Sequence, residues 1–110
     1  MPTNSELLLI EEEVERRFHP SNPITQAIAS KLAKTIYHQR RCEYLINFAR
    51  SIPNRKIEAM PLDKQSAFKQ NVKKLLEKLQ TFKRQSRDYS KALRVQTHSS
   101  QDTAAGAVQQ

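Results

Sequence analysis

The chain has one glycine, one cysteine, no tryptophan and few aromatics of any kind in 110 residues. A single glycine excludes the glycine-rich loops that cradle phosphates or dinucleotides, and it excludes a succession of tight primed hairpin turns. One cysteine cannot form an internal disulfide, and Cys42 with the scattered His19, His38 and His98 cannot close a zinc site. No run approaches the roughly 18 apolar residues that a membrane span requires. The stretch Leu7-Leu8-Leu9-Ile10 is too short for a signal-peptide core, and no basic residue precedes it. These absences lead to the expectation of an intracellular protein without a membrane anchor, its lone thiol compatible with a reducing compartment.

What is present is mostly polar and charged. The apolar fraction is 37% and the mean hydropathy −0.75, which leaves little material for a globular core and favours elongated helices. The net charge is +8 with a pI near 9.9, so acidic partners are expected: nucleic acid, acidic protein or an anionic surface. The charge is unevenly divided. Residues 1–15 carry five acids and no Lys or Arg; residues 16–95 carry all 19 basic residues against five acids, a local +14; Asp102 is the one charge beyond Arg94. The acidic segment either screens the basic body in part or helps two helices pack in one register.

The apolar spacing predicts three helices. Leu7, Ile10, Val14 and Phe18 share one face of a helix over about 5–18, with Asn4 or Ser5 as cap. His19-Pro20-Ser21-Asn22-Pro23 breaks it, and Asn22 followed by proline at the first helical position restarts the chain. From 24 to 52 there is neither proline nor glycine, which predicts one long helix of about 40 Å. Its stripe reads Ile24, Ile28, Leu32 and Ile36, then Tyr37, Arg41, Leu45, Phe48 or Ala49, and Ile52. Pro53 ends it, residues 55–60 form a short connector, and Asp63 caps a third helix reaching about residue 94. Phe68, Val72, Leu75, Leu79, Phe82, Ser86, Tyr89 and Leu93 make a heptad seam in that helix, interrupted by one serine. The fold class is therefore all-α: a single domain over 1–95, its second and third helices long and antiparallel, with a disordered tail over 96–110 that is polar and aperiodic. The seam serves as the internal partner of the second helix or as a self-association and partner-helix face. Phe18, Phe48, Phe68 and Phe82 lie on core stripes and are expected to be buried.

Catalysis needs convergent polar groups, and none are spaced to converge. The three histidines lie in a proline turn, on the polar side of the long helix and in the tail, without a carboxylate or Cys42 at a useful spacing. Glu11, Glu12 and Glu13 are consecutive on a helix and point about 100° apart, so they cannot share a metal. Cys42 follows Arg40 and Arg41, which would lower its pKa were it exposed; packed inside, it is a small apolar residue. No enzyme activity, cofactor or metal is expected. Basic ridges stand out instead. Lys31, Lys34, His38 and Arg41 follow one, Lys69, Lys73, Lys74 and Lys78 another, and Lys83, Arg84, Arg87, Lys91 and Arg94 extend the second. Fixed cations suit phosphate backbones and act without reading base sequence.

The string His38-Gln39-Arg40-Arg41-Cys42, with Arg50 eight residues on, resembles the basic Arg-Asn-Lys-Arg-Cys segment of Psf-type subunits of the GINS replication complex. Pro61-Leu62-Asp63 followed by Phe68-Lys69-Gln70-Asn71 and Leu75 is similar to the start of the next helix in that family. The likeness spans about residues 24–82 and departs from the family at Ile46, where tyrosine is frequent. It implies a non-enzymatic scaffold in a replicative assembly, in the nucleus or nucleoid; without that resemblance the expected location is the cytoplasm. The segment from Arg40 to Arg50 also looks like the second helix of the KIX domain of transcriptional coactivators, which implies a groove for acidic-hydrophobic peptides lined by Leu45, Phe48, Leu75 and Leu79. An unbroken helix over 24–52 leans toward the first resemblance.

The expected function is a non-catalytic helical scaffold binding protein partners, as a hetero-oligomer or by self-association. Leu45, Phe48, Val72, Leu75, Leu79 and Phe82 would supply affinity, and Arg40, Arg41 and Arg50 orientation. The alternative is a small protein that coats phosphate backbones through Lys73, Lys74, Lys78, Lys83, Arg84 and Arg87, with Lys34 on the neighbouring ridge.

Overall fold

The structure is a computed structural model that describes the backbone of residues 3–109 and the side chains of residues 3–96. Among the described residues there are four α-helices and no strand: α1 Asn4–Phe18, α2 Pro23–Ser51, α3 Asn54–Glu58 and α4 Leu62–Gln109. The all-α class and the two long helices match the sequence expectation. The connector does not: residues 54–58 form a single helical turn, because the Pro53 carbonyl accepts from both the Lys56 and Ile57 amides, at 3.0 and 3.3 Å. α4 runs to Gln109, past the end expected near residue 94, so the backbone over 96–109 is helical where a disordered tail was expected, no proline interrupting it. The side chains beyond Gln96 lie outside the described set.

Capping follows the sequence at one helix and departs from it at two. At α2 the Asn22 side chain accepts from the Thr25 amide at 2.8 Å, and the Thr25 hydroxyl accepts from the Asn22 amide at 3.1 Å. This reciprocal box, with Pro23 already set for helical φ, satisfies donors that would otherwise be orphaned. Asn22→Ala is expected to cost about 1 kcal/mol, read as a lower urea midpoint with unchanged slope. At α1 the cap is Thr3, with extended backbone and no side-chain hydrogen bond, so Asn4 and Ser5 sit inside the first turn. Packing of Ile10, Val14 and Phe18 rather than a cap holds that helix. At α4 the Gln65 amide donates to Pro61 at 3.0 Å, which moves Asp63 from cap into the first turn, where its carboxylate favours the helix dipole. The Gln65 side chain donates back to the Glu58 and Met60 carbonyls, at 3.1 and 2.7 Å, and so closes the end of α3.

His19 ends α1 in the left-handed region, with φ 48°, while its amide donates to the Glu15 carbonyl at 2.9 Å. The following Pro20 excludes the right-handed helical region for His19, so the chain turns there.

α2 packs chiefly on α4, and α1 lies on α2 with a lighter contact to α4. The long pair is antiparallel. Leu32 shares a cluster with Leu93, the Ser86 hydroxyl donates to the Gln39 side-chain oxygen at 3.2 Å, and Ile46 shares a second cluster with Leu79. Those three layers advance in heptad steps along both helices in opposite directions, as an antiparallel seam requires. The core is accordingly in two parts. One joins α1, α2 and α4 through Ile10, Val14, Phe18, Ala29, Leu32, Ala33 and Leu93. The other joins only α2 and α4, through Cys42, Ile46 and Leu79 with Leu75, Leu76 and Phe82. The Gln39–Ser86 layer divides them, so the serine that interrupts the heptad run has a polar partner.

The division follows from length. At the α-helical rise α1 extends about 22 Å and α2 about 43 Å, so α1 covers only the first half of α2. The radius of gyration is 19.8 Å, against about 13 Å for a compact domain of this size, and the axial extents are 74 × 24 × 18 Å. The molecule is a three-helix end from which a two-helix arm projects.

Candidate interaction surface

The arm places the seam residues in graded positions. Leu79 is buried; Leu45, Val72, Leu75 and Phe82 are half-buried between the helices. Phe48, expected in the core, is 60% exposed, and Tyr44 one turn before it is 44% exposed. The physical reason is the missing third layer: among the described residues none covers the outer face of α2 beyond residue 41, and Ile46 on the opposite side takes the contact with α4. Ile24 is likewise 65% exposed, while Thr25, Ala29, Leu32 and Ala33 form the buried stripe. A step of four residues drifts about 40° around an α-helix, so Ile24 and Ile36 stand about 120° apart and cannot both face one neighbour.

All ten residues of the expected basic surface (Lys34, Arg40, Arg41, Arg50, Lys73, Lys74, Lys78, Lys83, Arg84 and Arg87) are exposed. Among the described residues, only Arg40 of these reaches a carboxylate, that of Glu6, at 3.4 Å. The screening expected from the acidic helix is thus one surface pair, worth well under about 1 kcal/mol. From 40 to 87 the chain carries thirteen basic and four acidic residues, so the arm is strongly cationic. Two open grooves run along it, one lined by Lys74, Glu77, Lys78, Thr81 and Phe82, the other by Gln39, Gln80, Lys83, Ser86 and Arg87.

Cys42 is buried between the arm helices. Desolvation pushes its thiol up from the ordinary value, against the smaller opposing pulls of Lys78 and Arg41. Of the two readings of this cysteine the packed one holds. A thiol reagent at pH 8 is expected to label native Cys42 at least about tenfold more slowly than the urea-unfolded chain, because both burial and the raised pKa suppress the thiolate. Labelling at equal rates would show that the arm opens freely.

His38 was expected on the polar side of α2. It is exposed, yet its ring stacks on Phe82 with centroids 5.7 Å apart and meets Tyr37 edge-on at 5.5 Å. His19 serves the turn after α1, and the His98 side chain lies outside the described residues. Among the described residues, no group of His, Cys, Asp or Glu gathers as a metal site would require, and no helix is long and apolar enough to cross a membrane.

The sequence reading missed five exposed apolar side chains, Leu62 and Val95 among them. Tyr44 was not placed in the seam, and Leu8 and Leu9, 60% and 65% exposed, stand on the outward face of α1. Their signal was available: a helix that buries Ile10, Val14 and Phe18 must turn Leu8 and Leu9, about 100° apart, to other sides. No family model, curated protein or solved structure matches the chain.

Proposed function

We propose that the protein is a non-catalytic helical interaction module, working through the outer face of the α2–α4 arm. The observation that carries this reading is the pair Tyr44 and Phe48, exposed one turn apart on a rigid helix and flanked by cations. The two rings are adjacent rather than scattered, and aromatic residues at the centre of an interface supply most of its affinity. Arg41, on the same side of α2 as Phe48, orients an acidic partner, and Leu45 and Phe82 line the arm beside it. The unbroken α2 suits the resemblance to a helicase-assembly subunit. A place in a DNA-replication assembly, and with it a nuclear or nucleoid location, is the finer form of this proposal.

The test is affinity capture with the wild-type chain and with Phe48→Ser as baits in parallel. Proteins retained by the first and lost from the second are expected. Identical recoveries would remove Phe48 from the binding surface.

A second reading rests on the ten exposed cations. If the arm coats phosphate backbones, duplex DNA in a gel-shift assay binds at low salt and weakens steeply as salt rises, with no sequence preference. Absence of a shift at low salt would eliminate it.

A further inference from the structure

We infer that the outer faces of α1 and α2 form one self-complementary patch through which two copies of the chain pair about a two-fold axis. This rests on the interaction reading above and names its partner. The Glu6–Arg40 contact, 3.4 Å long and partly exposed, joins the two helices at the surface. On α1, Leu9 lies one turn beyond Glu6 on the same side. On α2, Tyr44 and then Phe48 continue one and two turns beyond Arg40. Leu9, Glu6, Arg40, Tyr44 and Phe48 therefore succeed one another across the two helices, with an ion pair at the centre and exposed apolar groups at both ends.

The two ends differ in charge. Leu9 is accompanied by the exposed carboxylates of Glu12 and Glu13, and α1 as a whole carries five carboxylates against Arg16 and Arg17. Tyr44 and Phe48 belong to the arm, whose thirteen basic residues face four acids over 40–87. Pairing arm to arm would oppose cations, and pairing α1 to α1 would oppose carboxylates. Pairing the α1 end of one copy with the arm end of the other unites unlike charges and covers leucines with aromatic rings. A two-fold axis near the Glu6–Arg40 pair makes both such contacts at once, which is the definition of an isologous interface. The chain carries both halves of the interface, which is why the occupant is a second copy rather than an unrelated acidic helix.

The full-length chain is to be followed by sedimentation equilibrium over a wide concentration range. The expected result is association to twice the 12.8 kDa chain mass, weaker at high salt. Phe48→Ser and Leu9→Ser should each weaken the dimer at least about tenfold, while circular dichroism stays unchanged because both side chains are exposed. An equimolar mixture of the two variants should associate more tightly than either alone, since the mixed pair regains one of the two contacts. Three outcomes would overturn the inference: a wild-type monomer at every concentration, a dimer indifferent to Phe48→Ser, or loss in both variants with no recovery on mixing. A wild-type monomer whose captured partners are still lost with Phe48→Ser would overturn the dimer and leave the interaction reading standing.

Discussion

Leu32→Ala is expected to lower the melting temperature by about 12–24 °C, the largest effect of any single truncation in the molecule. Leu32 is fully buried (0% exposed) at the junction of α1, α2 and α4. Truncating a buried leucine costs about 3 kcal/mol or more, because transfer free energy is lost and a cavity remains. Here the cavity cannot close easily. Its neighbours Ala29 and Ala33 are already small, and Ile10, Val14 and Leu93 are fixed on the other two helices. In a domain of this size each kcal/mol moves the midpoint by about 4–8 °C. A thermal scan by circular dichroism reads the shift, and a change under about 5 °C would mean that the three-helix end does not hold the fold. Ile46→Ala in the arm is the comparison: its layer joins two helices, has more freedom to collapse, and should cost less.

Val14→Asp tests the docking of α1. Val14 is buried with Ile10 and Phe18 beneath α1, in a groove that already contains Glu11 and Glu15. A carboxylate there would be desolvated and would stand beside like charges, so both effects raise its pKa above the ordinary aspartate range. The expected outcome at neutral pH is that α1 leaves the hairpin rather than bury the charge. Amide protection should vanish over residues 4–18 while Cys42, Ile46 and Leu79 keep theirs. The sign of the pH dependence follows. An acid whose folded-state pKa is raised destabilises fully above that value and not at all below its unfolded one, so α1 should redock as the pH falls. Val14→Asn, which does not titrate, should show no such recovery. Uniform loss of protection over both ends at neutral pH would show that arm and junction unfold as one unit.

Local chemistry was legible in the chain. Asn22-Pro23 announces a helix start because an amide cap and a ring-fixed φ need no tertiary help. The unbroken α2 follows from the absence of proline and glycine over 24–52. The antiparallel seam of Val72, Leu75, Leu79 and Phe82 was readable from its heptad spacing, and so was the odd place of Ser86. Facing was less legible. Ile24 outranks Thr25 on any hydrophobicity scale, yet Ile24 is exposed and Thr25 is buried. The Thr25 hydroxyl is satisfied within the cap by Asn22, so its burial leaves no polar group unpaired. Ala29 and Ala33 stand outside the stripe read from the sequence, although their small size allows α1 to lie close against α2.

By itself, then, the sequence determined the helices and the division of charge: their class, the lengths of α1 and α2, their breaks, and an acidic α1 ahead of a basic body. These depend on backbone donors, proline geometry and residue counts, which act within a few positions along the chain. Only the tertiary structure decided which faces are inside. A helix has one apolar stripe or several, and the choice depends on where its neighbours end. Because α1 is about half as long as α2, Leu32 lies under three helices while Phe48, on the same helix, stands in the open.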